Sequence, residues 1–161
     1  MPTTPGLALP YPDSDATPDV PYDLQQLAEA LEAVIDFTVA DLAYFDPAWQ
    51  PYLNSREEPR VIARGPVGRR LVKLEGTVGR NAALTITAGG VYTFGQLPVG
   101  QRPAKVLDFP APSGVNASGF ARVLVLPDGK IQGVWLAAGT FNANGGTGYL
   151  SLDGVQFYAT Q

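Results

Sequence analysis

Turn-forming residues interrupt this chain throughout, and their frequency limits it to short elements of secondary structure. Its 161 residues include 18 glycines and 15 prolines, which is about a fifth of the chain and well above average usage. Leu84–Thr87 alternates apolar and hydroxyl side chains, as is typical of a half-buried strand, and Asp128-Gly129 is the strongest hairpin signal. We therefore predict that residues 61–161 form a mainly β head, an antiparallel β-sandwich or jelly roll of about seven to nine strands.

The first 60 residues have a different character. Residues 1–21 hold six prolines and three aspartates, and because proline fixes φ and donates no hydrogen bond, we expect an extended, acidic arm. We predict one short, trimerising helix over residues 22–45 and a linker over residues 46–60. Apolar residues on this helix follow the spacing of a heptad seam: Leu24, Leu27, Leu31 and Val34. Such a stripe packs either against its own domain or against identical helices in a short parallel bundle.

Charge is distributed unevenly along the chain. Residues 1–60 carry a formal net charge of −9 and residues 61–161 one of +5. The basic residues are scattered singly apart from Arg69-Arg70, so we expect no nucleic-acid partner. The first residues lack the basic and apolar regions of a secretion signal, and no run of 18 apolar residues occurs. We therefore expect synthesis in the cytoplasm and no membrane partner.

The chain contains neither cysteine nor histidine, which removes many kinds of catalytic chemistry. Disulfides, Cys/His zinc sites, thiol nucleophiles, Ser-His-Asp triads and histidine bases are all excluded. Residues 61–161 hold four carboxylates, which lie in Asp-Gly turns, beside a proline or along a strand: Glu75, Asp108, Asp128 and Asp153. These positions are typical of structural residues. We predict no catalytic residue, no metal site, no cofactor and hence no enzyme.

One predicted strand, Arg122–Leu126, is apolar on both of its faces. A strand of a sandwich normally has one buried face and one solvated face. Either loops cover the second face, or it meets another subunit. Together with the helical stripe, this strand predicts a homotrimer, in which one interface contains Leu24, Leu27, Leu31, Val34, Val123 and Val125.

Four segments resemble, in order, the C-terminal modules of phage tail proteins. They are the strand Val72–Val78, the LP-x-G-x-RP corner within Phe94–Pro103, the hairpin Val123–Ile131 and the closing strand Tyr149–Phe157. The segment from Leu9 to Ile35 is similar to the N-termini of actinobacterial phage minor tail proteins. The resemblance implies a homotrimeric β-sandwich head, similar to the receptor-binding heads of lactococcal phages, that binds host-surface carbohydrate.

Two locations in a virion fit this resemblance. The first is a tail-associated adhesin, and the alternative is a capsid decoration protein that docks on the shell through its N-terminal arm. In both, we expect residues 1–36 to contact other virion proteins, because an extended arm with apolar side chains suits docking into grooves of an assembled lattice. We expect the protein to be made in the host cytoplasm and to be located on the virion, at the tail tip or on the capsid surface.

Carbohydrate sites usually combine an aromatic face with hydrogen-bonding side chains. Trp135 with Asn142 and Asn144 in the following loop is the best local concentration of such groups, and Tyr149 is a further candidate. The alternative is that Trp135 fills the core. Arg102 is predicted to be structural, because its planar guanidinium can reach carbonyls across the Pro-rich corner; the alternative is a sugar or anion contact.

Overall fold

A computed structural model describes residues 20–34, 37–52, 58–66, 69–143 and 148–159. The described chain begins with helix α1 (Val20–Val34) and continues as short strands. In chain order these strands are β1 (Phe37–Asp41), β2 (Ala43–Tyr44), β3 (Trp49–Pro51), β4 (Arg60–Arg64), β5 (Leu71–Glu75), β6 (Thr77–Arg80), β7 (Leu84–Ile86), β8 (Val91–Gln96), β9 (Leu107–Pro112), β10 (Phe120–Val125), β11 (Lys130–Val134), β12 (Gly139–Phe141), β13 (Leu150–Ser151) and β14 (Gln156–Tyr158). The prediction of a mainly β fold with one short helix is confirmed.

The strands pair antiparallel into two larger and two smaller sheets. The larger sheets have the orders β1-β4-β5-β14 and β2-β8-β11-β10-β9, and the smaller ones β13-β6-β3 and β12-β7. Their inner faces enclose one core. β5 and β6 belong to different sheets, because the chain turns at Gly76, whose φ of 91° is accessible to glycine without strain.

The Asp128-Gly129 hairpin is confirmed between β10 and β11. Val125 pairs with Ile131, and Gly129 has a φ of 89°. The Gly129 N–H donates to Leu126 O at 2.9 Å, and the Asp128 Oδ1 accepts from the Lys130 N–H at 3.0 Å. Local turn chemistry fixes this register.

Aromatic rings form the centre of the core. Trp135, Phe94 and Phe141 are fully buried, and Trp49 is 3% exposed. The Phe141 ring packs in T-shaped contacts with Trp49 and Trp135, whose ring centroids lie 5.2 and 5.4 Å from its own. Such pairs stabilise a core by about 0.5–1.5 kcal/mol each beyond the burial of their area.

The N-terminal part differs from the prediction. The helix does not occupy all of residues 22–45, because Phe37–Asp41 forms β1, which pairs with β4 from Phe37↔Arg64 to Asp41↔Arg60. Aromatic and β-branched residues at 37–39 favour a strand. Residues 1–19 of the predicted arm lie outside the described residues.

Residues 46–60 are likewise more than a linker. They contain β3, where Trp49 pairs with Arg80 of β6, and the first residue of β4. Burial of the Trp49 ring explains why this segment belongs to the sheets. The β fold therefore begins at Phe37 rather than at residue 61. Among the described residues, no helix has the length and apolarity needed to cross a membrane.

Candidate functional site

The structure places Trp135 in the core, which corrects its interpretation as a ligand contact. Its side chain is fully buried, and its Nε1–H donates to Ser113 Oγ at 2.9 Å. The ring also meets Tyr92 and Phe141 edge-on. A ring enclosed on both faces cannot stack on a sugar from solvent.

The other predicted ligand contacts do not form one constellation with Trp135. Tyr149 packs against Tyr52, with ring centroids 5.4 Å apart, and is half-buried. Asn142 is exposed just after β12, whereas Asn144 lies outside the described residues. A ligand role for Asn142, Asn144 and Tyr149 stays a prediction.

Arg102 contacts the backbone at the Pro-rich corner. Its Nε–H donates to Leu97 O at 3.1 Å, as expected of a residue that holds the bend. Gly129 lies against this arginine, because a Cβ at Gly129 would come within 2.6 Å of Arg102 Nε. Arg102 also lines a small cavity of about 280 Å³ with Asp41 and Gln96, so its alternative role as a ligand contact stays a prediction.

The residues predicted for a trimer interface fall into two groups. Leu24 and Leu31 are 60% and 39% exposed on α1, and Leu27 is half-buried. The Val34 side chain lies outside the described residues. Val123 and Val125 are fully buried within one chain, which corrects their assignment to an interface, because β10 turns them toward the core. The outward residues of β10 are Phe120, Arg122 and the half-buried Leu124.

An open groove of about 520 Å³ lies where three sheets meet, and we call it the Phe45 groove. The connection from β2 to β3 forms one wall, the end of β6 and the start of β7 form the floor, and β8 forms the other wall. Its lining residues are Phe45, Asp46, Pro47, Trp49, Arg80, Leu84, Val91, Tyr92 and Thr93. The volume is in the range of small-molecule sites.

Backbone hydrogen bonds hold the wall that carries Phe45 and Asp46. The Phe45 N–H donates to Phe94 O at 3.1 Å, and the Trp49 N–H donates to Asp46 O at 3.0 Å. Asp46 Oδ1 accepts from the Ala48 N–H at 2.8 Å, which is the hydrogen bond of an Asx-turn. The groove is therefore preformed rather than assembled by its ligand.

Asn81 ties this wall to the end of β6. Its backbone N–H donates to Ala48 O at 3.0 Å, and its Nδ2 donates to Pro47 O at 3.2 Å. These two bonds hold the wall in a fixed position relative to the floor.

Arg80 lines the groove as a largely buried cation. Its guanidinium stacks 4.6 Å from the Trp49 ring centroid, and its Nε–H donates to Ala82 O at 3.3 Å. Arg80 Nη2 lies 4.0 Å from Asp46 Oδ2. The Arg80 side chain is 10% exposed and that of Asp46 is 48% exposed, so the carboxylate is the charge that solvent reaches.

The second wall is aromatic and apolar. The Tyr92 hydroxyl accepts from the Thr87 N–H at 2.9 Å, which fixes the ring against Trp135. Val91 on this wall is 55% exposed, and Phe45 on the opposite wall is 57% exposed. Exposed apolar side chains beside a carboxylate form a surface that suits an amphipathic ligand such as a sugar.

The four carboxylates of residues 61–161 each make structural contacts. Asp108 accepts from Arg122 Nε at 3.0 Å, which lowers the pKa of Asp108, and the hydrogen bond from the Lys130 N–H lowers that of Asp128. Glu75 pairs with Lys73, and Asp153 accepts from the Gly76 N–H. Within the described ranges, no group of three acidic side chains is arranged to hold a metal ion.

The Phe45 groove has no complete signature in the local sequence. Its residues come from three separate segments, 45–49, 80–84 and 91–93, so no local motif unites them. One signal was present: Phe45-Asp46-Pro47 places an aromatic residue beside a turn-forming aspartate and proline, shortly before Trp49.

Comparison with known proteins identifies a similar fold. No protein family matches the chain, and no curated protein matches its sequence. The structure is similar to the crystal structure of the receptor binding protein (gp15) of Listeria phage PSA, with a TM-score of 0.58 and 17% sequence identity. The match covers 91% of this chain and 83% of that one. The likeness therefore extends over nearly the whole chain.

Proposed function

We propose that this protein is a non-enzymatic virion protein of a bacteriophage, a tail-associated adhesin that binds host-surface glycan as a homotrimer. The observation that carries the proposal is the fold, which is similar over 91% of the chain to a phage receptor binding protein. The motif resemblance of residues 70–160 to phage tail proteins supports the same class, and the resemblance of residues 9–35 to minor tail proteins of actinobacterial phages favours that type.

The exposed leucines of α1 support a trimer. A single helix of 15 residues with Leu24 and Leu31 in solvent is marginal in water. Packing the stripe against two copies would bury it, as in short parallel coiled coils. The homotrimer therefore rests on α1 and no longer on Val123 and Val125.

The Phe45 groove supports a glycan as the ligand. It offers an exposed aromatic side chain and a half-exposed carboxylate on a preformed wall. Sugars bind proteins by packing C–H groups on aromatic faces while their hydroxyls form hydrogen bonds.

Two measurements test this function. The fluorescently labelled full chain should bind host cells, and periodate oxidation, which cleaves vicinal diols of glycans, should abolish this binding. Labelling virions with antibody against the chain should place a few to tens of copies at the tail. Failure of the labelled chain to bind host cells overturns the adhesin.

The same antibody-labelled virions distinguish a tail adhesin from the alternative, a capsid decoration protein. Antibody label over the whole shell, at hundreds of copies, would favour decoration through residues 1–36. Label confined to the tail end excludes it.

A further inference from the structure

We propose that the Phe45 groove binds a neutral sugar and discriminates against acidic ones. The inference rests on the proposed glycan-binding function and adds to it the site and the chemical class of the ligand. Four of its lining residues point to this ligand: Phe45, Asp46, Arg80 and Thr93.

The apolar part of the site is Phe45. Its side chain is 57% exposed on a wall that hydrogen bonds hold in place, so its ring meets a ligand without prior rearrangement. A preformed site loses little conformational entropy when it binds. The apolar face of a pyranose ring fits against such an aromatic side chain.

The hydrogen-bonding part of the site is Asp46. Its Oδ1 accepts a hydrogen bond from the Ala48 N–H, whereas Oδ2 lies 4.0 Å from Arg80 Nη2, beyond hydrogen-bond distance. With 48% of the side chain exposed, Oδ2 can accept hydrogen bonds from sugar hydroxyls. Thr93 adds a hydroxyl, which already accepts from Gln132 Nε2 at 3.0 Å and can donate to a ligand.

The exposed charge of Asp46 makes the groove unfavourable for acidic glycans. Among the described lining residues, Asp46 and Arg80 carry opposite charges. The arginine is 10% exposed, stacked on Trp49 and bonded to Ala82 O, so it is a poor contact for an anion. A uronate or a phosphate in the groove would instead face the exposed carboxylate of Asp46, which is repulsive.

The test uses the full chain on a glycan array that carries neutral hexose and N-acetylhexosamine glycans beside uronic-acid and phosphate-bearing ones. We expect binding to the neutral glycans only. Phe45→Ala should weaken this binding at least tenfold. Asp46→Asn keeps an oxygen for the Ala48 N–H and should weaken it severalfold while reducing the discrimination against acidic glycans.

Tyr158→Ala is the matched control, because Tyr158 is 67% exposed on β14 and does not line the groove. It should bind like the wild type. Strongest binding to acidic glycans, or wild-type affinity in Phe45→Ala, overturns the inference. If both the wild type and Phe45→Ala bind host cells equally, the groove assignment fails and the adhesin function stands; if neither binds host cells, the function itself fails.

Discussion

Asp153 and Gly76 lie 77 positions apart in sequence and form a hydrogen bond of 2.9 Å from the Gly76 N–H to Asp153 Oδ1. Asp153 Oδ2 accepts from Ser151 Oγ at 2.9 Å, and the Leu152 N–H donates to Gly76 O at 2.8 Å. Both backbone groups of the buried Gly76 are thereby satisfied. This contact joins the turn between β13 and β14 to the corner at which the chain passes from β5 to β6.

We predict that Asp153→Ala destabilises the protein by about 1–3 kcal/mol, because it leaves the buried Gly76 N–H without a partner. Asp153→Asn retains an acceptor oxygen and should cost less. Urea unfolding followed by tryptophan fluorescence measures both. Equal stability of Asp153→Ala and the wild type would contradict a structural role for this carboxylate.

Trp135→Phe tests whether Trp135 belongs to the core. The change removes the hydrogen bond to Ser113 Oγ and leaves a cavity beside Phe141, so we expect a loss of about 2–4 kcal/mol. Glycan binding by the folded variant, measured below its melting temperature, should equal that of the wild type. Lost binding at unchanged stability would restore Trp135 as a ligand contact.

The elements that the sequence predicted correctly are those defined by neighbouring residues. Asp128-Gly129 specifies its hairpin through local turn chemistry, and alternation in Leu84–Thr87 marks β7. β1 and β3 were missed, because they are short and depend on partners that come later in the chain, β4 and β6. Propensity over three to five residues is too weak to identify such strands.

The candidate site was predictable only in its chemistry. An aromatic face with hydrogen-bonding side chains was the expected combination, but the predicted contacts were Trp135 and residues that follow it in sequence, such as Asn142 and Asn144. Val134, Trp135 and Leu136 form a continuous apolar run, so alternation does not show which of them faces the core. The Phe45 groove depends on the pairing of β3 with β6, which brings Trp49 opposite Arg80.

Arg102→Ala tests whether Arg102 stabilises the Pro-rich corner within Phe94–Pro103. Loss of the hydrogen bond from Arg102 Nε to Leu97 O should lower the stability by about 1 kcal/mol. Binding to neutral glycans should be unchanged, because Arg102 does not line the Phe45 groove. Differential scanning calorimetry and the glycan array measure the two properties. An unchanged melting temperature with lost binding would assign Arg102 to a ligand site.

Tyr44→Phe is expected to preserve or increase the stability. The Tyr44 hydroxyl is buried and has no hydrogen-bond partner among the described residues, so its removal relieves a cost of about 1–3 kcal/mol. Burial, followed by the charges of Glu58 and Asp41, raises the pKa of Tyr44.

This shift gives the prediction a pH dependence. Because the folded pKa lies above the unfolded value of about 10, the wild type loses stability as the pH rises through that value, when the unfolded tyrosine ionises. Tyr44→Phe should lose less stability than the wild type between about pH 9 and 11. Tyr158→Phe, at a position 67% exposed, is the control and should behave like the wild type. Lower stability of Tyr44→Phe at neutral pH would show that the hydroxyl has a favourable contact.

Substitution of the α1 stripe tests the homotrimer. Multi-angle light scattering of the wild type should give about three times the 17.0 kDa mass of one chain. The double variant Leu27→Asp and Leu31→Asp should be monomeric, because two carboxylates in each helix would be buried unpaired in the seam. Ala28→Asp is the matched control, since Ala28 is exposed and lies outside the 3-4-3 spacing of Leu24, Leu27, Leu31 and Val34, and it should stay trimeric. Circular dichroism should show the same β signal in all three proteins, because α1 precedes the strands that form the core. A monomeric wild type at micromolar concentration would overturn the trimer.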